Sequence, residues 1–300
     1  MIKEKVSLIG LGSIGQKHLK YLKKYLPEKN VQIISSKELS YENSSKNLED
    51  ILNFDPGIII VCTPTSNHLD ICNFIEKNLV QKIVLVEKPI FNKVENFNAK
   101  KNTYFCAYNF RFHQGVAALK KEISNEKYRK VEIRCLSYLP NWRKSDYRRS
   151  YSASVAGGGG VALDLSHEID LALYLFGNFT KKFYEYSKKS NLEIETKDYL
   201  LLNGVFDNDA KCVIELNYAS KSEVRDIIVE SEDKKWKLDF LSHSLSIIEK
   251  KNEKNVKIVD IGSVELTYDH QIKKLLNGDL KLFCTFEEAI EVVKLVDALE

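Results

Sequence analysis

The sequence predicts an α/β chain in two parts, a parallel-sheet half followed by a half rich in antiparallel strands. Three observations carry that prediction. Short, largely apolar runs at 6–9, 31–34, 57–62 and 83–86 alternate with helical patterns in the first hundred residues. Between the first run and the first helix stands Gly10-Leu11-Gly12-Ser13-Ile14-Gly15. From about Lys181 onward, segments of alternating polarity such as Tyr199–Phe206, Ala210–Asn217 and Arg225–Glu230 read as antiparallel strands, with Asp207-Asn208-Asp209 as a hairpin turn.

The opening strand, Val6–Ile9, feeds a helix from Ser13 to about Leu26 that ends near Pro27. Strand, GxGxxG and helix in succession is the context that makes the glycines informative. Gly10 permits the tight turn, Gly12 lets backbone approach a pyrophosphate, and Gly15 lets helix and strand pack closely. The N–H groups of Ser13, Ile14 and their neighbours then face the anion with a favourable dipole. The competing reading is a tight turn and nothing more.

The second strand, Val31–Ile34, is followed by Ser35-Ser36-Lys37. An NAD-preferring site usually places Asp or Glu here to bond the ribose hydroxyls. Hydroxyls and a lysine suit a 2′-phosphate instead, which tilts the expectation toward NADP, although Glu38 lies one residue further on. Only a short helix, Leu48–Phe54, fits before the strand at Gly57–Cys62, so this edge of the sheet is expected to be trimmed. Thr63-Pro64-Thr65-Ser66-Asn67-His68 follows, leading into a helix that runs to about Asn78. Thr63, Pro64, Asn67 and His68 are candidates to line the cofactor crevice; His68 reads equally well as a helix-entry or surface residue.

The strand Ile83–Val86 ends in Glu87-Lys88-Pro89. A lysine at the carboxyl end of a buried parallel strand faces the crevice where open α/β sheets bind ligands. Its plain reading is a solvated or salt-bridged strand end, because lysine is costly to hold against an apolar core.

The size and charge of the chain bound its partners. Its 300 residues suit one large or two medium domains. With 45 Lys and Arg against 42 Asp and Glu, the formal charge of +3 implies no polyelectrolyte partner, so nucleic acid is not expected. Met1–Lys5 leads straight into a strand, and no apolar run is long enough to span a bilayer. The six cysteines include no CxxC pair. Cys62, Cys106, Cys135 and Cys212 sit in strand-like runs, which reads as reduced core thiols in a cytoplasmic protein.

With GLGSIG, VCTPTSNH, VEKPI, YNFRF and GGGVALDLSHEIDLALYLFG in that order, the chain resembles the Gfo/Idh/MocA family, named for glucose–fructose oxidoreductase and inositol dehydrogenase. The matched blocks span roughly residues 5–177. The resemblance implies an amino-terminal Rossmann domain, here a compact variant, and a carboxy-terminal α/β domain with an open, mostly antiparallel sheet. It implies oxidation or reduction of sugars, sugar nucleotides or related carbonyl compounds with NAD(P)(H). The expected division is 1–110 for the nucleotide and 111–300 for substrate binding and oligomerisation. Where family members place a full helix after the Glu-Lys-Pro motif, this chain offers only a short stretch, Val94–Lys100.

By the same resemblance Lys88 lies beside the nicotinamide and the substrate hydroxyl, Glu87 lies with it, and a cis bond precedes Pro89. The family's Asp and His after a glycine run map onto Asp164 and His167, following Gly157–Gly160. Only two residues separate them here, where the commoner pattern has three. On one helix, positions 164, 167 and 168 would still share a face. His167 is then the proton carrier, oriented by Asp164, Glu168 or Asp170. A buried structural histidine is the plain alternative. A metal held by Asp164, His167 and Glu168 lacks a clearly placed further His or Cys, and no metal is expected.

On the substrate side, Asn109 can bond a hydroxyl and Arg111 an acid. Trp142-Arg143-Lys144-Ser145-Asp146-Tyr147 mixes cations with aromatics, like a segment of family members linked to bacterial surface-glycan synthesis. Trp142, Arg143 and Tyr147 are candidates to grip a phosphate, a sugar-acid carboxylate or a base; a solvated basic loop is the alternative. Phe286–Leu299 reads as a closing amphipathic helix. A broad sheet with one polar and one apolar face predicts a homodimer or homotetramer. Two other kinds of chemistry stay open: the family includes NAD-dependent glycoside hydrolases and non-catalytic dinucleotide sensors.

Overall fold

The computed structural model describes residues 4–251 and 254–300, so the expected lead-in at Met1–Lys3 lies outside the described residues. Strands β1 (Val6–Ile9), β2 (Val31–Ile34), β4 (Ile58–Val61) and β5 (Ile83–Val86) are largely apolar, since both their faces are covered; the exceptions, Ser7 and Gln32, hydrogen-bond each other. Helix α1 (Ser13–Tyr25) follows β1, a two-residue strand β3 (Ser44–Ser45) and α2 (Asp50–Phe54) precede β4, and α3 (His68–Asn78) precedes β5. Strand β6 (Thr103–Cys106) follows β5 with no helix between them.

The second half begins with α4 (Gln114–Ile123) and the long β7 (Tyr128–Tyr138). The glycine run leads to α5 (Val161–Asp164) and α6 (Ser166–Phe176). Then come β8 (Phe179–Ser187), β9 (Tyr199–Phe206), β10 (Lys211–Asn217), β11 (Ala219–Ser231), β12 (Lys234–Asp239), β13 (Ser244–Glu249) and β14 (Lys254–Asp260). The chain closes with α7 (Leu266–Leu276), β15 (Cys284–Thr285) and α8 (Phe286–Asp297).

Among the described residues two sheets form. The first has the order β15-β6-β5-β4-β1-β2-β3, parallel except for β15 against β6. The second has the order β14-β13-β12-β11-β7-β10-β9-β8, antiparallel except for β10 beside β7. Its strands alternate as the sequence does: every second residue of β9 is buried, beginning with Leu200 and Leu202. The hairpin at Asp207–Asp209 is present, with Asp209 at φ 63°. The trimmed edge is present too, since only Ser44 and Ser45 pair with β2.

One compact unit comprises Met1–Asn109 with Tyr268–Asp297, the other Phe110–Thr267 with Ala298–Glu300. The expected division assigned everything after residue 110 to the second domain, so the return of Tyr268–Asp297 is a correction. Its reason lies in the missing helix between β5 and β6. The irregular stretch there exposes Phe91 and Phe97 to whatever covers that face. Phe286 at the start of α8 packs against both, with ring centroids 6.1 and 5.4 Å away, and Ala289, Val292 and Val293 bury the rest of the helix face. Amphipathic pattern alone shows that a helix must be covered, not by which sheet.

Candidate functional site

The nucleotide-side residues are positioned by the glycine turn after β1. Gly10 stands at φ 94°, a conformation that L side chains rarely adopt. A Cβ on Gly15 would lie 2.2 Å from the Gly10 carbonyl oxygen, so helix α1 can approach the turn only with glycine there. Gly12 differs: it is exposed, and a Cβ built on it meets nothing within 4 Å. No side chain caps the first turn of α1, and no acidic residue sits in that turn. An open approach to uncapped helical N–H groups fits a dinucleotide pyrophosphate.

The strand ends around this turn divide into open and closed positions. Pro64, Asn67, Ser36 and Lys37 are exposed. Ser35 is buried, and its Oγ accepts the Lys37 amide at 3.3 Å, which makes it part of a turn. Glu38 pairs with Lys46 at 2.9 Å. Thr63 Oγ1 is buried with no hydrogen-bond partner among the described residues.

His68 stands at the helix entry, as the first residue of α3, but it is buried instead of lying at the surface. It is 1% exposed, with Nδ1 3.1 Å from the Ile90 carbonyl oxygen and Nε2 3.0 Å from that of Thr63. Burial holds its pKa below the usual histidine value, against the pull of those carbonyls. It braces the loops after β4 and β5. With carbonyls at both ring nitrogens, it has none to offer a cofactor.

Glu87 and Lys88 end β5, and the Lys88–Pro89 bond is cis. Glu87 is buried, with Oε1 2.6 Å from His18 Nε2 and Oε2 accepting the Lys88 amide at 3.2 Å. Lys88 is half-buried.

Of the residues expected on the substrate side, Asn109 belongs to the first unit and Arg111, Trp142, Arg143, Tyr147, Asp164 and His167 to the second. Leu165, at φ −98° and ψ 26°, interrupts the helical run. The face shared by 164, 167 and 168 is therefore broken, because Asp164 ends α5 while His167 and Glu168 begin α6. All three carboxylates named as partners for His167 hold other groups. Asp164 accepts from the Tyr218 hydroxyl and also hydrogen-bonds Tyr151. Glu168 takes Arg225 at 2.7 Å, and Asp170 takes Arg111 at 2.7 and 3.1 Å. Burial and then Asp164 push the Tyr218 phenol well up, so it stays a donor.

His167 is 9% exposed, with its ring 4.9 Å from that of Phe110 and its Nδ1 buried. Arg225 lies over the Phe110 ring of that pair, 4.2 Å from its centroid. Arg111 is 3% exposed and bidentate to Asp170, so its charge is matched inside the protein, not held out for a ligand acid. Asn109 is buried at 1%. Trp142 packs edge-on against Tyr218 and donates to Ser137 Oγ at 3.1 Å, Arg143 is exposed over Tyr151, and Tyr147 receives the Glu193 amide at 3.3 Å.

Sequence reading missed His18, Tyr218, Arg225 and the Arg111–Asp170 pair. His18 had an available signal: with Gly15 and Leu22 it lies on the buried face of α1 at helical spacing. Tyr218 and Arg225 had none, since each meets its carboxylate more than fifty residues away in sequence.

This is the architecture of a dinucleotide-binding α/β protein with an appended antiparallel-sheet domain. A family model described as oxidoreductase family, NAD-binding Rossmann fold, matches residues 4–104, and the model of the Gfo/Idh/MocA carboxy-terminal domain matches 126–233. The chain belongs to the Gfo/Idh/MocA oxidoreductase family.

A levoglucosan dehydrogenase of Pseudarthrobacter phenanthrenivorans is 28% identical over 202 residues, 58% of this chain. The matched stretch spans 52% of that relative's length. Among solved structures, levoglucosan dehydrogenase in complex with NADH and levoglucosan superposes with a TM-score of 0.78 at 16% identity, over 98% of this chain and 95% of that one. UDP-N-acetylglucosamine 3-dehydrogenase from Acidithiobacillus ferrooxidans does so with a TM-score of 0.76 at 15% identity, over 98% and 95%. At these identities the two structures show a shared fold. No helix among the described residues is long and apolar enough to cross a membrane.

Proposed function

We propose that this protein interconverts a secondary alcohol and a ketone on a sugar, sugar nucleotide or sugar acid with NAD(P)(H). The observation that carries the reading is the pairing, on one parallel sheet, of the open Gly12 turn with a half-buried Lys88 at the end of β5. Gly10, Gly12, Ser13, Ile14 and Gly15 would hold the pyrophosphate, and bound nicotinamide would supply the hydride acceptor or donor. Lys88 polarises the substrate oxygen with its ammonium. His167 takes the hydroxyl proton in oxidation and returns it in reduction; with Nδ1 buried, that exchange falls to Nε2. Asp164, held by Tyr218 and Tyr151, fixes the turn from which His167 departs.

The reading favours NADP. Exposed Ser36 and Lys37 follow β2, and Glu38 is drawn to Lys46 instead of standing free for a ribose. The names of the relatives point to levoglucosan and UDP-N-acetylglucosamine as first substrates to try. The reading includes a homodimer or homotetramer through the half-exposed face of the second sheet. It also includes the cytoplasm, which the six buried free thiols support.

The test is turnover of that substrate panel with NAD and NADP, followed by reduced-nicotinamide absorbance. Lys88→Ala and His167→Ala should each lower kcat by about 10²–10⁴-fold. Full turnover in both variants would refute the mechanism.

A further inference from the structure

His18 is wholly buried on α1, and none of the chemistry above uses it. Its Nε2 lies 2.6 Å from Glu87 Oε1, while its Nδ1 is buried with no hydrogen-bond partner among the described residues. That asymmetry selects the tautomer. A neutral ring that donates from Nε2 leaves only a lone pair unsatisfied at Nδ1, whereas an imidazolium would bury an unpaired N–H. Glu87 is therefore a carboxylate that accepts on both oxygens, from His18 at one and from the Lys88 amide at the other. The Tyr268 ring meets the imidazole edge-on at 5.7 Å and backs it from the other side.

We propose that His18 is a positioning residue for Lys88, acting through the Glu87 carboxylate that it holds against the Lys88 backbone. The inference rests on the proposed role of Lys88 in the reaction. It gives α1 two tasks, since the helix whose first turn faces the nucleotide also sets, five residues after its start, the backbone of the reactive lysine. His68 secures the same loop from its far side through the Pro89 and Ile90 carbonyls, so the lysine leaves a backbone fixed on both flanks.

A metal is the competing account, because His18, Cys62 and Glu87 bring their ligand atoms within 4.8 Å of one another. Ligands of one tetrahedral zinc at about 2.0–2.1 Å lie about 3.3 Å apart. The 2.6 Å His18–Glu87 contact is a hydrogen bond. Burial, with Glu87 adding to it, also pushes the Cys62 thiol well up, away from the thiolate a metal needs.

The experiment is a double-mutant cycle on the intact protein, comprising Lys88→Ala, His18→Ala, both together, and His18→Gln, whose amide can replace the Nε2 donor. It uses whichever member of the substrate panel turns over. His18→Ala should lower kcat about 10–100-fold with KM and NADPH affinity nearly unchanged, His18→Gln should recover most of it, and the double variant should be no slower than Lys88→Ala. Independent losses that multiply in the double variant would overturn the inference. If His18→Ala does not fold, His18→Met against His18→Gln makes the same comparison.

A second readout needs no substrate. The isotope-labelled dimethyl-lysine resonance of residue 88, assigned by its loss in Lys88→Ala, should shift in His18→Ala and return in His18→Gln. An unmoved resonance, or one equivalent of zinc in the purified protein, would overturn the inference. Full turnover of Lys88→Ala would instead sink the reaction reading, with the resonance still deciding the link to His18.

Discussion

The proposed nucleotide side and the proposed substrate side are built from different materials. Around Gly10–Gly15 the working surface is backbone: a helix terminus left uncapped and a glycine with empty space before it. Around His167 it is side chains, held by the Arg111–Asp170 and Arg225–Glu168 ion pairs and by tyrosine hydroxyls on Asp164. The difference teaches where robustness lies. A backbone site survives most substitutions and fails at a few glycines, whereas a site of buried charges fails whenever one partner is removed.

The largest effect should therefore come from the substrate side. Asp170 is fully buried, so Asp170→Ala takes the bidentate carboxylate from the buried Arg111 cation and should cost about 3–5 kcal/mol in urea unfolding. A loss under about 1 kcal/mol would mean that water reaches Arg111 and that the contrast is false.

Next come two glycines three residues apart in sequence, Gly12 and Gly15, with opposite surroundings. Gly15→Ala drives a Cβ into the Gly10 carbonyl and should cost about 1–3 kcal/mol of stability along with nucleotide binding. Gly12→Ala should leave stability within about 0.5 kcal/mol of the parent. Its NADPH affinity, read by fluorescence titration, should nonetheless fall about tenfold or more, which is about 1.4 kcal/mol. Equal stability losses in both would erase the distinction between a packing glycine and a ligand-facing one.

The smallest effect concerns the tie between α7 and α1. Burial alone would raise the Asp269 pKa, but hydrogen bonds from Lys24 and Tyr25 outweigh it and leave the carboxyl below its usual 3.8. A depressed folded pKa means stability that is present above about pH 4 and lost as pH falls through the folded value. Asp269→Asn should flatten the acid limb of the stability profile in that window. An unchanged slope would show that the tie contributes nothing to folding.

What was legible in the sequence follows the same division. The glycine turn and the parallel strands could be read because their determinants are contiguous; backbone geometry is dictated by neighbours in the chain. His167 was legible only through a resemblance, and the break at Leu165 was hidden by a run that looks helical throughout. The partners of Asp164, Glu168 and Asp170 were illegible, since a carboxylate carries no local mark of the remote arginine or phenol it will meet. The burial of His68 was illegible for a related reason. A histidine after a strand end resembles a site residue until the carbonyls of Thr63, Pro89 and Ile90 close over it.

The return of Tyr268–Asp297 to the first unit also has a consequence for synthesis on the ribosome. Strand β6 gains its neighbour β15, and Phe91 and Phe97 gain Phe286, only when the last tenth of the chain has emerged. The unit that begins first thus waits for the end of the chain, while the intervening unit has all but its final three residues before then. A nascent chain arrested before residue 268 would carry an open sheet edge and uncovered phenylalanines, a natural handle for chaperones.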